Sequence, residues 1–173
     1  MGEQIYLRPM EESDTDHIVA WRNSEKVKRY FIYQEDFTTQ GHLYWLHEIV
    51  QKGKACQMMI CDQQTDEALG SVFIRDIDHT HHKGEYGIFI GSEAVRGRGI
   101  GTQAAKLMIA YAFEELGLHR IYLRVLADNT RAIASYEKAG FVREGLLHHD
   151  VYIRGAYEDI AWMAITQDDE GVV

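Results

Sequence analysis

Between Val95 and Thr102 the chain reads Val-Arg-Gly-Arg-Gly-Ile-Gly-Thr, a stretch whose residue types suit the holding of phosphate. Gly97, Gly99 and Gly101 alternate along it and let the backbone come close to a bulky group. Arg96 and Arg98 stand between them and supply positive charge. A strand-like run, Glu85 to Ile90, leads in, and a helix-like run, Gln103 to Leu116, leads out. The start of that helix adds unpaired N–H groups and the positive end of a dipole. Together these make a cradle for phosphate or pyrophosphate, built from the amides of Arg96 to Thr102 with Val95 and Ile100 inside the same stretch. Two common phosphate loops fit poorly. A nucleoside triphosphate loop needs a lysine before its Ser/Thr, and Gly101-Thr102 lacks one. A dinucleotide site needs G-x-G-x-x-G and an acid about 20 residues on, and the region of His119-Arg120 offers none.

The elements that must position this loop read as a layered α/β (α+β) domain. Ile5 to Pro9 is a short edge strand, and Ser13 or Asp14 can cap a first helix. Val27 to Phe37 is aromatic and mixed in charge without a clean period, which predicts a loop or broken helix. A second helix follows Thr38-Thr39, with Leu43, Leu46, Ile49 and Val50 at helical steps, and Gly53 stops it. Gln57–Cys61, Leu69–Ile77 and Lys83–Ile90 are joined by short polar turns, as in an antiparallel meander. After the glycine stretch and its helix come a strand at Arg120–Leu126 and a helix at Thr130–Ala139, closed by Gly140 and Phe141. Two strands, Val142–Ile153 and Tyr157–Thr166, complete a mixed sheet of about seven strands with about four helices.

Arg96-x-x-Gly99-x-Gly101, followed about 28 residues later by Asn129-x-x-Ala132-Ile133-x-x-Tyr136-x-x-x-Gly140-Phe141, resembles the GNAT acetyltransferase superfamily. Leu7-Arg8-Pro9 and Tyr152-Ile153-Arg154-Gly155-x-Tyr157-x-Asp159 are similar to its branch of ribosomal-protein N-terminal and spermidine acetyltransferases. The resemblance spans essentially the whole chain. It implies a twisted sheet splayed between its fourth and fifth strands, acetyl-CoA as co-substrate, and direct transfer to an amine in a ternary complex. It also implies that the glycine loop holds the coenzyme pyrophosphate and that Asn129 and Ala132 lie on the distal coenzyme-contacting helix. Asn129 either caps that helix, bonds the pantetheine arm, or does both.

Within that frame Tyr136 is the expected acid for the departing thiolate, its hydroxyl being near the sulfur in the family, with a core tyrosine on the face of Ala132 and Ile133 as the alternative. The amine must lose a proton before it attacks. Glu85, on the strand before the loop and on the face of Gly87 and Phe89, is the expected base, against a salt-bridged strand glutamate or loss of the proton to solvent. Backbone N–H groups near Phe89 and Ile90 are expected to polarise the thioester carbonyl.

Tyr30, Phe31, Tyr33 and Glu35, with Asp36, are expected to receive the acceptor. The acids favour a polyamine or other small amine. Arg22-Asn23 and His42-x-x-Trp45-Leu46 resemble enzymes acting on nucleotide-linked amino sugars, and a protein N-terminus is a further alternative. From another class stands a CoA-binding module that regulates rather than catalyses.

The 173 residues, 46% hydrophobic and 26% charged, suit a single domain over 1–173, with 168–173 expected as a disordered tail. A net charge of −9 weighs against nucleic acid. No apolar run is long enough for a bilayer and no signal peptide is visible at the N-terminus, so no membrane partner is expected. Cys56 and Cys61 fall on opposite faces of one strand and cannot pair, which suits reduced thiols and a cytoplasmic site. His79, His81 and His82 lack a metal-binding spacing, so no metal is expected. Homodimers are common in such a family, and a homodimer is allowed for here.

Overall fold

The computed structural model describes residues 5–168. Its centre is one sheet in the order β1-β2-β3-β4-β5-β7-β6. The strands are β1 (Ile5–Pro9), β2 (Cys56–Asp62), β3 (Ala68–Asp78), β4 (Lys83–Ile90), β5 (Arg120–Leu126), β6 (Val142–Ile153) and β7 (Ala156–Thr166). β1 to β4 are antiparallel neighbours, β4 and β5 are parallel, and β5, β7 and β6 are antiparallel again.

The period of two decides what each face carries. Met58, Ile60, Val72 and Ile74 turn to the side of α4 (Ile100–Glu114) and α5 (Thr130–Ala139), where Ala104, Met108, Ala112 and Ile133 meet them. Met59, Cys61 and Phe89 turn the other way, to α1 (Thr15–Asn23) through Ile18, α2 (Glu25–Lys28) through Val27, and Leu46. Leu46 lies in a π-helical turn, Trp45–Val50, that continues α3 (Thr39–Tyr44). Cys56 packs with the first cluster and Cys61 lies in the second, and both thiols are free.

The sequence pattern and the structure part company at the starts of α4 and α1. α4 starts at Ile100, not Gln103, because Gly99 takes a left-handed φ of 81° and serves as its N-cap. The glycine stretch is therefore partly helical. The short α2 runs into the start of the aromatic segment, which gives five α-helices among the described residues, in keeping with the about four expected. Neither Ser13 nor Asp14 caps α1 with its side chain. Asp14 instead accepts from the Glu11 N–H at 2.8 Å and from both Arg8 Nη atoms at 2.8 Å each. Residues 169–173 of the expected tail lie outside the described residues. Thr38 does cap α3, its hydroxyl accepting from Gly41 N–H at 3.0 Å.

β4 and β5 pair only at Lys83–Arg120, Gly84–Ile121 and Glu85–Tyr122. Beyond that third rung the two strands part, and the sheet opens between its fourth and fifth strands.

The Arg8–Asp14 pair ties the edge strand to the start of α1, and Asp14 is 6% exposed. Burial alone would raise the Asp14 carboxyl, but the Arg8 guanidinium and the Glu11 N–H hold it below the usual carboxylate range. The folded state therefore binds the proton less readily than the unfolded chain, and the pair stabilises above the ordinary aspartate pKa and is lost below it. Asp14→Asn is expected to lower unfolding free energy by roughly 1–3 kcal/mol at pH 7. That loss should shrink as pH falls through about 4 and below, in urea denaturation. A loss of the same size at pH 7 and pH 3 would contradict the ion pair.

Candidate active site

The parted strands enclose a cleft of about 770 Å³ that runs from the glycine loop to the segment between α2 and α3. Of the expected site residues, Tyr30, Phe31, Tyr33, Glu35, Glu85, Ile90, Val95, Arg96, Gly97, Gly99, Ile100, Gly101, Thr102, Asn129, Ala132 and Tyr136 line it. Arg98 does not and is exposed.

At the glycine end the ladder itself supplies donors. Gly91 N–H bonds Leu69 carbonyl at 2.9 Å, which fixes the parity of β4 against β3. Phe89 therefore turns its N–H toward β3, and Ile88 and Ile90 turn theirs toward the opening. Of the two amides expected to polarise a carbonyl, only that of Ile90 faces the cleft. The Ile90 carbonyl accepts from Arg96 Nη2 at 3.1 Å, so this guanidinium braces the end of β4. Gly97 and Gly99 have φ of 85° and 81°, values that a side chain strains. The Thr102 hydroxyl is 2.8 Å from that of Ser135 and couples α4 to α5. Asn129 caps α5 by accepting from Ala132 N–H at 3.3 Å.

Tyr136 is half-buried on α5, and burial pushes its hydroxyl up to about 12. Its ring stands edge-on to Tyr86, with centroids 6.0 Å apart, and to Phe141 at the same separation. Among the described residues the Tyr86 hydroxyl is buried without a partner, and it is raised well above its ordinary value by burial, then by Tyr136.

The far end is built on Glu85, which is 6% exposed. Register places Arg75 of β3 opposite it, and Arg124 lies two residues beyond its β5 partner Tyr122 on the same face. Arg75 donates to Glu85 Oε2 from Nη2 at 3.0 Å and Nε at 3.2 Å. Arg124 donates from Nε to Oε1 at 2.9 Å and from Nη2 to Oε2 at 3.3 Å. Both carboxylate oxygens are thus occupied by guanidinium N–H groups.

The expected aromatic acceptor residues meet the chain's own cations. Arg75 lies 4.9 Å from the centre of Tyr33, Arg29 4.7 Å from that of Tyr30, and Arg22 3.4 Å from that of Phe31. Arg22 is 7% exposed, and burial, then Arg75, lowers it to about 10. Glu35 is exposed at the cleft wall, and Asp36 pairs with Lys28. Arg22, Arg75 and Arg124 escape the sequence reading as site residues. The available signal for two of them is an arginine inside an apolar strand, Ile74-Arg75 and Leu123-Arg124-Val125, but their shared partner needs the register. Among the described residues no three His, Cys, Asp or Glu side chains converge as a metal site.

The loop as a coenzyme cradle predicts a contrast between two glycines of equal backbone strain. Gly99 and Gly155 have φ of 81° and 82°, and among the described residues a Cβ at either meets nothing within 4 Å. Gly99→Val and Gly155→Val should each lose about 1–2 kcal/mol of stability. Only Gly99→Val should weaken acetyl-CoA binding, by about 10-fold or more in calorimetry. Equal affinities in the two variants would remove the loop from the coenzyme site.

Residues 4–142 match the family model described as the acetyltransferase (GNAT) domain. Spermidine N(1)-acetyltransferase of Escherichia coli (strain K12) is 35% identical over 168 residues, covering 96% of this chain and 88% of that protein. The enzyme of the same name from Vibrio cholerae is 29% identical over 167 residues, covering 96% and 95%. The crystal structure of spermidine N-acetyltransferase from Vibrio cholerae in complex with CoA and spermine superposes with a TM-score of 0.89 at 27% identity, over 96% of this chain and 97% of that one. With the glycine loop, the opened mixed sheet and this match in hand, the chain belongs to the GNAT family of acetyltransferases.

Proposed function

We propose that this chain, acting as one catalytic unit, transfers the acetyl group of acetyl-CoA directly to a primary amine of a small polyamine. The observation that carries the reading is the single cleft joining the glycine loop to the acceptor segment, with Tyr136 on its wall. The polyamine class is supported by the spermidine acetyltransferases the chain resembles and by Glu35 and Asp36 at the far end.

In this reading the amides of the loop and of α4's first turn take the pyrophosphate, where unpaired N–H groups and the helix dipole coincide. The thioester carbonyl lies against the inward amides of β4, Ile88 and Ile90, which stabilise the oxyanion as it forms. The neutral amine attacks the carbonyl carbon. A C–N bond forms, the C–S bond breaks, and the sulfur leaves with its electron pair.

With its hydroxyl at about 12, Tyr136 keeps its proton throughout the neutral range. Complete transfer to a thiolate of ordinary pKa would be uphill by roughly 5 kcal/mol. Its role is a hydrogen bond to the sulfur as charge develops, completed by proton delivery from water. Glu85 moves in this proposal from base to positioning residue, because four guanidinium bonds occupy its oxygens. Solvent in the open cleft takes the amine proton.

Thiol release and product mass, followed over polyamines, amino sugars and N-terminal peptides, test the reading. Turnover of spermidine or spermine is expected, and thiol release with none of the polyamines would overturn the acceptor class. Release with no acceptor in the whole panel would favour a regulatory CoA-binding module. Tyr136→Phe should lower kcat by about 100-fold with coenzyme affinity within about 2-fold. An unchanged kcat would leave Tyr136 as packing. Rates should rise with pH as the amine loses its proton, with no fall from Tyr136 below about pH 11. Glu85→Gln should raise KM for the amine and preserve that rise. Loss of the rise would restore Glu85 as base.

A further inference from the structure

Arg22 is the one feature of the acceptor end that the transfer chemistry leaves unexplained. It lies in the last turn of α1, is 7% exposed, and lines the cleft. Its guanidinium carbon sits 3.4 Å from the centre of Phe31 and 4.4 Å from that of Phe37. The box is held shut by its neighbour. Asn23 donates to the Phe37 carbonyl at 2.8 Å and accepts from the Phe37 N–H at 2.7 Å. Among the described residues, Arg22 Nη1 has no hydrogen-bond partner. A charge so placed is costly unless something pairs it. Ring faces offset part of that cost, and nearby Arg75 adds to it.

Except for Glu35 at the outer wall, the carboxylates lining this end are already committed. Glu85 serves Arg75 and Arg124, Asp36 serves Lys28, and Glu93 serves Lys26. The inner acceptor end thus holds three guanidiniums, Arg22, Arg75 and Arg124, against the one carboxylate of Glu85. A polyamine that passes Glu35 at the outer wall meets an excess of positive charge around Arg22, Arg75 and Arg124.

We infer that the acceptor end binds an oxyanion, a carboxylate or a phosphate, on the guanidinium of Arg22. The inference rests on the reading of this end as the acceptor end. Two sources supply the same chemistry. The acceptor carries the anion beside its amine, or a free anion binds first and screens the arginines as the polyamine enters. In either case the planar fork of Arg22 receives two oxygens at once.

The test uses the full chain, with inorganic phosphate and acetate as probes against chloride at equal ionic strength. Either oxyanion should raise the melting temperature of the wild type and leave Arg22→Met unmoved. Without the anion, Arg22→Met should melt no lower than wild type, since it removes an unpaired buried charge. Two kinetic arms separate the sources. If the acceptor carries the anion, 2,5-diaminopentanoate should exceed 1,4-diaminobutane in kcat/KM by about 10- to 100-fold, and Arg22→Met should erase the difference. If the anion is free, phosphate should lower KM for spermidine by a similar factor in the wild type and not in Arg22→Met. Arg22→Lys, which keeps the charge and loses the fork, should retain a reduced share of either effect.

The inference is overturned if no oxyanion shifts the wild-type melt and neither kinetic arm responds. It is overturned equally if Arg22→Met keeps the full response, or if it destabilises the anion-free protein with kinetics unchanged, which would make Arg22 a packing residue. An absence of turnover with every amine would instead sink the acetylation reading. Anion-dependent melting lost in Arg22→Met would still stand in that case.

Discussion

The structure depends on where β4 and β5 stop pairing. Three parallel rungs, ending at Glu85 and Tyr122, hold the two halves of the sheet together. Continuing the ladder would satisfy more backbone groups, so the opening needs something to hold it. On one face Glu85 draws Arg75 from β3 and Arg124 from β5 onto a single carboxylate, a buried clamp at the root of the opening. On the other, Tyr136 stands edge-on to Tyr86 and Phe141, which meet each other at a tilt, and the three rings wedge α5 beside the gap. Beyond the clamp, β4 keeps its bonds to β3 and presents its alternate amides to the cleft.

Electrostatics inside the cleft run against those of the chain. The net charge is −9. Yet the charged residues lining the cleft include Arg22, Lys26, Arg75, Arg96, Arg124, Arg131 and Lys138, against Glu35, Asp36 and Glu85. A cationic interior on an acidic molecule focuses field toward anionic ligands, which suits a polyphosphate-bearing coenzyme. At the acceptor end the same field would oppose a polycation, and that tension gives Arg22 its interest.

Much of this was legible in the sequence because local chemistry and function coincide there. The glycine loop, the Asn129–Phe141 helix with its left-handed Gly140 cap, and the apolar stripes that alternate by two or recur by three and four all announce themselves within short windows. The start of α4 is hidden in the sequence because Gly99, a poor helix residue by type, serves as the left-handed residue before the first turn. The Glu85 setting was out of reach, since its partners lie 10 and 39 residues away and meet only through register. The aromatic segment shows its composition in the sequence but not which groups stack on its rings. The cations stacked on Phe31 and Tyr33 come from α1 and β3, not from a ligand.

If the parted strands hold the acyl end of the coenzyme, the amides of Ile88 and Ile90 should show it directly. Residue-resolved hydrogen exchange, with and without acetyl-CoA, is the measurement. Rapid exchange is expected at Ile88 and Ile90 in the free protein, beside protected Gly87 and Phe89, with marked slowing at both when acetyl-CoA binds. Protection of Ile88 and Ile90 without coenzyme, or exchange there that acetyl-CoA leaves unchanged while it binds, would contradict it.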